Sequence, residues 1–375
     1  VKALNRSKHP LELHSQITRI LRDRIVAGTL QPGGRLPTRI ELASAFHTTT
    51  VTVQKSLDHL RHDGFVITRG RAGTFVVSHP PHLTRYALVF PSSPFGRGWT
   101  RFWHTICGSA QALEATEQIT FPLFYDVDGH SDVEAYQTLV ADARSSRLAG
   151  IIFAGDPFWM KDVPGHSLGV PAVTIQGDYL ENIMPLYTTD RYSFLDRALD
   201  YLRGRGRRKI AVLHTFPVDS PSGVPAVLAE RLARRGLEVR RLWSIPLPPG
   251  ATPTAAYITE MLMALPREDQ PDALVITDDH WVEFATRGLL AAGKSVPRDF
   301  DVVAHTNFPD LPQANVPVRW LGFDTTRLLR GCIEILQRQQ QGETVPPITF
   351  IPPVFADELP GSNHTEQPSR SKRLR

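Results

Sequence analysis

Apolar positions recur at helical spacing through the first eighty residues and then give way to short buried runs. Leu13, Ile17, Ile20, Leu21 and Ile25 form one stripe that stops at Gly28. The next stretch, Leu36 to Val77, predicts two short helices, a turn and a hairpin. Thr38 followed by Glu41 is a capping box, so a helix should start there and turn Leu42, Ala43 and Phe46 inward. His47–Thr49 make the break. Thr49 then caps a second helix whose Val53, Leu57 and Leu60 recur at helical spacing, and Gly64 supplies the left-handed stop. Phe65–Thr68 and Thr74–Val77 read as strands around the basic tip Arg69-Gly70-Arg71-Ala72-Gly73. This is the plan of a winged helix-turn-helix.

Past a stiff Ser78-His79-Pro80-Pro81-His82 hinge the pattern changes. Strand candidates are Tyr86–Phe90, Ile119–Tyr125, Gly150–Ala154, Ala172–Ile175, Lys209–His214, Glu238–Trp243, Ala273–Thr277 and Asp301–Ala304. Between them lie helical stretches such as Arg101–Thr116, Val133–Arg147, Ser193–Arg203, Val224–Arg235, Thr254–Leu265 and Val282–Ala292. Short β-branched runs alternating with amphipathic helices predict an α/β class with parallel sheets covered on both faces. So many strands call for two sheets. The expected organisation is a winged helix-turn-helix over 1–78, a linker over 79–84, a two-subdomain α/β body over 85–358 and a disordered basic tail over 359–375.

Charge sharpens the division. Residues 1–82 carry twelve basic against five acidic residues, a net of +7, whereas the rest of the chain carries 30 against 33, a net of −3. A basic head on a mildly acidic body is the footprint of a nucleic-acid reader joined to a part that should avoid phosphate. The cysteines are Cys107 and Cys332, far apart and without a CxxC pair, which argues against a disulfide scaffold or zinc site and fits a reducing cytoplasm. No apolar run approaches the roughly 18 residues of a membrane span, so no membrane partner is expected.

The head closely resembles the DNA-binding domain of the GntR family of bacterial transcription regulators. The matching residues are Gly28, Pro32, Gly33, Leu36, Pro37, Glu41-Leu42-Ala43, Thr52-Val53, Leu57, Gly64 and Gly73-Thr74-Phe75-Val76. The resemblance implies that the second motif helix enters the major groove of an operator. Its candidate contacts are Thr49, Thr50, Thr52, Gln54 and Lys55, with Arg39 beside them. Gln pairs bidentately with adenine, and Thr reaches a base edge or a thymine methyl. Arg69, Gly70 and Arg71 suit a minor groove or its phosphates. The chain departs from the family at Ile40, Thr50 and Gln54, where arginines are common, and Arg39 stands one position early.

The body resembles, more loosely, LacI-type effector domains and periplasmic sugar-binding proteins. Asp190 with Leu195, Ala198, Tyr201-Leu202, Gly206 and Lys209-Ile210-Ala211-Val212 looks like the opening of the second subdomain. Pro271-Asp272-Ala273 to Thr277-Asp278-Asp279, then Gly288, Gly293, Val296-Pro297 and Asp301-Val302-Val303, follow in the family's order. In open α/β sheets ligands lie beyond the carboxyl ends of strands. That rule gives Ser92, Phe95, Asp156, Phe158, Trp159, Asp278, Trp281, His305 and Asn307 as candidate ligand residues: carboxylates and amides for hydroxyls, flat rings for sugar faces. Each reads also as a cap or core contact, and Asp190 reads better as a helix cap. The family's arginine is missing from Ser220-Pro221-Ser222-Gly223-Val224, and Thr306 stands where an aspartate is common.

Enzymatic readings are poor. Asp126, Asp128 and His130 form a weak metal motif, and Ser92 or Ser93 lacks a G-x-S-x-G elbow. No cofactor and no metal is expected. The two resemblances together imply a homodimeric repressor whose operator binding answers to a small molecule, a sugar in first place. The alternative is a constitutive DNA-binding protein whose body serves only dimerisation or protein contacts. For the head, Gln54→Ala should alter base preference, whereas Arg71→Ala should weaken binding to all duplexes alike. Titrations on matched and scrambled duplexes check this, and equal losses in both mutants would reject it.

Overall fold

The computed structural model describes residues 10–96, 98–128, 133–155, 169–177 and 184–360. In the head, α1 (Pro10–Val26) backs α2 (Arg39–Ala45) and α3 (Thr50–His62). Both caps form as the sequence requires. Thr38 N–H donates to Glu41 Oε2 at 2.7 Å, Glu41 N–H donates to Thr38 Oγ1 at 3.3 Å, and Thr52 N–H donates to Thr49 Oγ1 at 3.2 Å. Gly64 takes φ +78° directly after α3. Strands β1 (Val66–Thr68) and β2 (Thr74–Val76) pair antiparallel around a tight turn at Gly70–Ala72. Ile17, Leu21, Leu42, Phe46, Val53, Leu57, Leu60 and Phe65 close one small core beneath these elements.

The rest of the chain builds two six-stranded sheets. Strands β3 (Tyr86–Val89), β4 (Leu123–Phe124), β5 (Gly150–Phe153), β6 (Ala172–Thr174) and β7 (Leu186–Thr189) belong to the first. Its order is β13-β7-β6-β5-β3-β4, where β13 is Ile348–Ile351. The second sheet has β8 (Ile210–His214), β9 (Ser244–Pro246), β10 (Ala273–Ile276), β11 (Asp301–Phe308), β12 (Arg319–Asp324) and β14 (Val354–Phe355), in the order β14-β12-β11-β10-β8-β9. Pairing is parallel except for β12 with β14, among the pairings described for these sheets. The covering helices are α4 (Pro81–Thr84), α5 (Arg101–Thr116), α6 (Glu134–Arg144), α7 (Arg191–Gly204), α8 (Ala226–Arg234), α9 (Thr252–Ala264), α10 (Val282–Ala291) and α11 (Thr325–Gln340). The chain divides into two compact units: residues 1–98, 110–187 and 330–349, and residues 99–109, 188–329 and 350–375.

Several expected elements shift. The candidate strand Glu238–Trp243 is instead a loop and a tight turn at Arg241–Trp243, and the edge strand begins at Ser244. The cause is local: Arg240 ion-pairs with Glu238 and Asp269, and the Trp243 indole N–H donates to the Asp269 carbonyl at 2.9 Å. Ile119–Tyr125 contracts to Leu123–Phe124, since Pro122 has no N–H for the ladder. Asp301–Ala304 runs on to Phe308, and its neighbour β12 fits so closely that a Cβ on Gly322 would meet the Thr306 carbonyl oxygen at 1.8 Å. Strands β7, β12, β13 and β14 and helix α11 add to the expected set. The tail from 361 lies outside the described residues.

Within the first unit the head is tied to the body by a chain of charges. Asp63, which caps the carboxyl end of α3, pairs with Arg22 of α1 and with Arg147 at 3.1 Å. Arg147 also pairs with Asp142 of α6, whose side chain is 4 % exposed, and Arg85 reaches the same carboxylate at 3.1 Å. Beside this chain Phe65 stacks on His82 at 5.9 Å, and Gln340 donates to the carbonyls of His82 and Ala149. Arg147→Ala removes one guanidinium from each of two carboxylates. It should lower the unfolding free energy by about 2 kcal/mol, less than a fully buried pair because a fifth of the Arg147 side chain meets solvent. Urea denaturation measures this, and an unchanged midpoint would show the pairs to be idle.

Candidate nucleic-acid interface and effector site

Arg39, Thr49, Thr50, Lys55, Arg69, Gly70 and Arg71 are all exposed on the head, and Thr52 and Gln54 are half-buried. Arg39 and Gln54 come from different helices and meet. Arg39 Nη1 donates to Gln54 Oε1 at 2.9 Å, and Gln54 Nε2 donates to Asp58 Oδ1 at 3.0 Å. Each end of the amide is engaged once, so an adenine contact through Gln54 has to use its remaining hydrogen and lone pair or exchange these bonds. At the hairpin tip Arg69 lies over the Phe75 ring at 5.2 Å, while Arg71 is exposed on the tight turn. Gly70 and Gly73 take φ +49° and +109°, conformations that glycine adopts without strain. The structure thus places one basic edge at the wing and a mutually bonded polar set on α3.

In the first unit Phe95 is 99 % exposed, and Ser92 Oγ donates to the Ser93 carbonyl at a long 3.4 Å. Asp156, Phe158 and Trp159 lie outside the described residues, as does His130 of the weak metal motif. In the second unit the strand ends bring several candidates together. Asp278 Oδ1 accepts from the His280 N–H at 2.9 Å and from His280 Nδ1 at 2.8 Å, and Asp279 Oδ1 lies 3.1 Å from the same nitrogen. Asn307 Nδ2 donates to Asp279 Oδ2 at 3.1 Å. Trp281 does not join them: its side chain is fully enclosed in the core of this unit, with no face left for a solute. Asp190 caps α7 through the N–H groups of Tyr192 and Ser193.

Three members of the cluster escape a reading by sequence position. Arg101, at the start of α5, pairs with Asp310 at 3.3 Å and lies 3.9 Å from Asp279. It brings a guanidinium to the cluster from α5, whereas the Ser220–Val224 segment has no arginine. His280 is the third. Its two carboxylate hydrogen bonds, to Asp278 first and then Asp279, hold its pKa up to about 10. Burial is the largest single influence on Asp279 and works against its charge, yet the His280 bond, the neighbouring imidazoles and the Asn307 bond together outweigh it and keep that pKa below the usual carboxylate range. His305, set against the rings of Phe194 and Phe323, is pushed down by burial, and its Nδ1 has no partner. The ligand atoms of Asp278, Asp279 and His280 lie within 4.8 Å of one another, a spacing that suits a metal ion. With Nδ1 protonated, however, the imidazolium is itself the cation of this group.

Comparisons with known proteins agree with this division. Residues 13–76 match the family described as bacterial regulatory proteins, gntR family, and residues 199–354 match the periplasmic binding protein-like domain. The chain joins a GntR-type head to a periplasmic-binding-protein-like body. It is a DNA-binding transcription regulator. The chain is similar to the arabinose metabolism transcriptional repressor of Geobacillus stearothermophilus, 22% identical over 373 residues, which covers 92% of this chain and 94% of the relative. Its head is similar to the uncharacterized HTH-type transcriptional regulator YurK of Bacillus subtilis (strain 168), 36% identical over 77 residues, 20% of this chain and 31% of the relative. The body has the fold of a LacI-family regulatory protein from Chloroflexus aggregans, with a TM-score of 0.55 at 18% identity, covering 72% of this chain and 96% of that one. No helix of the described residues is long and apolar enough to cross a membrane.

The acidic cluster of the body has a pH signature. The folded pKa of His280 lies above the ordinary 6.5, so its contribution to stability is complete below that value and drains away as pH rises through about 10. His280→Gln should therefore be clearly less stable than wild type at neutral pH and converge on it near pH 10. Thermal midpoints of both proteins across this window check the sign, and a gap that widened with pH would reverse it.

Proposed function

We propose that the protein is a transcriptional repressor whose operator binding is released by a small polyhydroxylated molecule, a sugar, bound at the strand ends of the body. The observation that carries the reading is the union, in one chain, of a winged head with an exposed basic tip and a body with a cluster of carboxylate, amide and guanidinium groups. Such groups exchange hydrogen bonds with sugar hydroxyls without a large desolvation loss. Support also comes from the named role of the Geobacillus relative, which aligns along 92% of this chain. Asp278, Asp279, Asn307, Arg101 and Asp310 are the proposed ligand contacts. His305 serves them as a neutral, ring-packed neighbour.

The protein acts as a homodimer in this reading. Two heads bind half-sites about one helical turn apart, or a multiple of it, with Thr50, Lys55, Arg69 and Arg71 toward the duplex. Ligand has to favour one arrangement of the heads over the other, because equal affinity for both shifts nothing. The test starts from duplexes enriched by the protein out of a randomised pool. Arabinose and a panel of other pentoses, hexoses and disaccharides are then added. One of them should raise the thermal midpoint of the free protein and weaken duplex binding by roughly 5- to 150-fold. Enriched duplexes with no response to any sugar, in melting or in binding, would sink the effector while leaving the DNA reader in place.

A further inference from the structure

The side chains at the start of α3 fall into two sorts. Several polar ones are engaged with neighbours: Thr49 Oγ1 lies 3.0 Å from Thr52 Oγ1 and accepts from the Thr52 N–H, and Gln54 is held by Arg39 and Asp58. Val51 is different. It is 65 % exposed, although it sits in the first turn of a helix whose other valine, Val53, is fully buried. At helical spacing Val51 shares a face with Gln54 and Lys55 and stands opposite Val53, Leu57 and Leu60, which hold the core of the head. It adds nothing to that core. Elsewhere on the head Arg39, Lys55, Arg69 and Arg71 are exposed cations suited to phosphate.

We propose that Val51 is a specificity-determining residue that reads thymine by packing against its 5-methyl group in the major groove. The inference rests on the DNA-reading function proposed above. Among the base edges of that groove the thymine methyl is the apolar feature, and the other edges offer donors and acceptors. An aliphatic side chain pressed on those edges leaves them unsatisfied, so Val51 discriminates by exclusion as well as by contact. Threonine at 50, where the family commonly has arginine, leaves room for this apolar approach.

The test uses the full chain and duplexes it has enriched from a randomised pool. Each thymine of the selected site is replaced in turn by deoxyuridine, which removes the methyl group and nothing else. Wild type should lose about fourfold in affinity at one thymine per half-site, the worth of one methyl burial. Val51→Ala changes both half-sites at once, so it should lose about the square of that factor, roughly 16-fold, on the thymine duplex and show no further loss with deoxyuridine at that position. Alanine is the better helix former at an exposed helical site, so circular dichroism should be unchanged and the melting midpoint no lower than that of wild type. A flat deoxyuridine scan in wild type, or an equal dip in Val51→Ala, overturns the assignment with specific DNA binding intact. Failure to enrich any sequence overturns the DNA reader itself, and this assignment with it.

Discussion

Asp142 is a carboxylate almost removed from water, and two guanidinium groups, those of Arg147 and Arg85, answer it. A buried charge without partners costs several kcal/mol, so this group fixes the turn after α6 and the start of β3 together. Arg147 then reaches past Asp142 to Asp63 at the end of α3, and Arg22 closes the chain from α1. The recognition helix is therefore held at its carboxyl end by charges anchored in the body. It cannot turn against β3 without parting Asp63 from Arg147. A flexible linker would leave the orientation of α3 free; here the hinge expected at 79–84 includes a helical turn, Pro81–Thr84, and His82 stacks on Phe65 of the head.

Much of the head was legible because its determinants are local. Capping pairs three residues apart, a glycine at a helix end and an alternating hairpin each act over a few positions, and each formed where the pattern placed it. The central strands of both sheets were legible for a related reason: buried on both faces, they read as continuous apolar runs. Edges were not. β14 and β9 are short, Glu238–Arg241 mixes charge into an apparent strand, and Pro122 breaks a ladder that hydropathy alone continues. The site was legible by half. Asp278 and Asn307 follow from the rule that ligands sit at strand ends, yet Trp281 obeys the same rule and is sealed in the core. Arg101 meets a partner 209 positions away, which no spacing in a single chain reveals.

The two sites share a physical habit. In the head, Arg39, Gln54 and Asp58 satisfy one another; in the body, Asp278, Asp279, His280 and Asn307 do the same. Groups already paired in the free protein are held in place, so a ligand meets them without a further cost of ordering. The same pairing lowers the net gain from any new hydrogen bond, since an old one has to be exchanged for it.

That exchange decides where selectivity comes from. A fully paired polar surface tolerates many partners about equally, because each contact it makes replaces another of similar strength. Discrimination then falls to features that exchange nothing: the shape of a cavity, the fixed direction of a donor, or an apolar side chain that fits one neighbour and starves another. On α3 the exposed aliphatic at position 51 is the feature proposed for that part, on a helix start that also carries threonines and a lysine. In the body the corresponding rigidity comes from His280, whose proton bridges two carboxylates and fixes the lone pairs that remain. Charge brings each partner in, and the groups with nothing to trade choose among those that arrive.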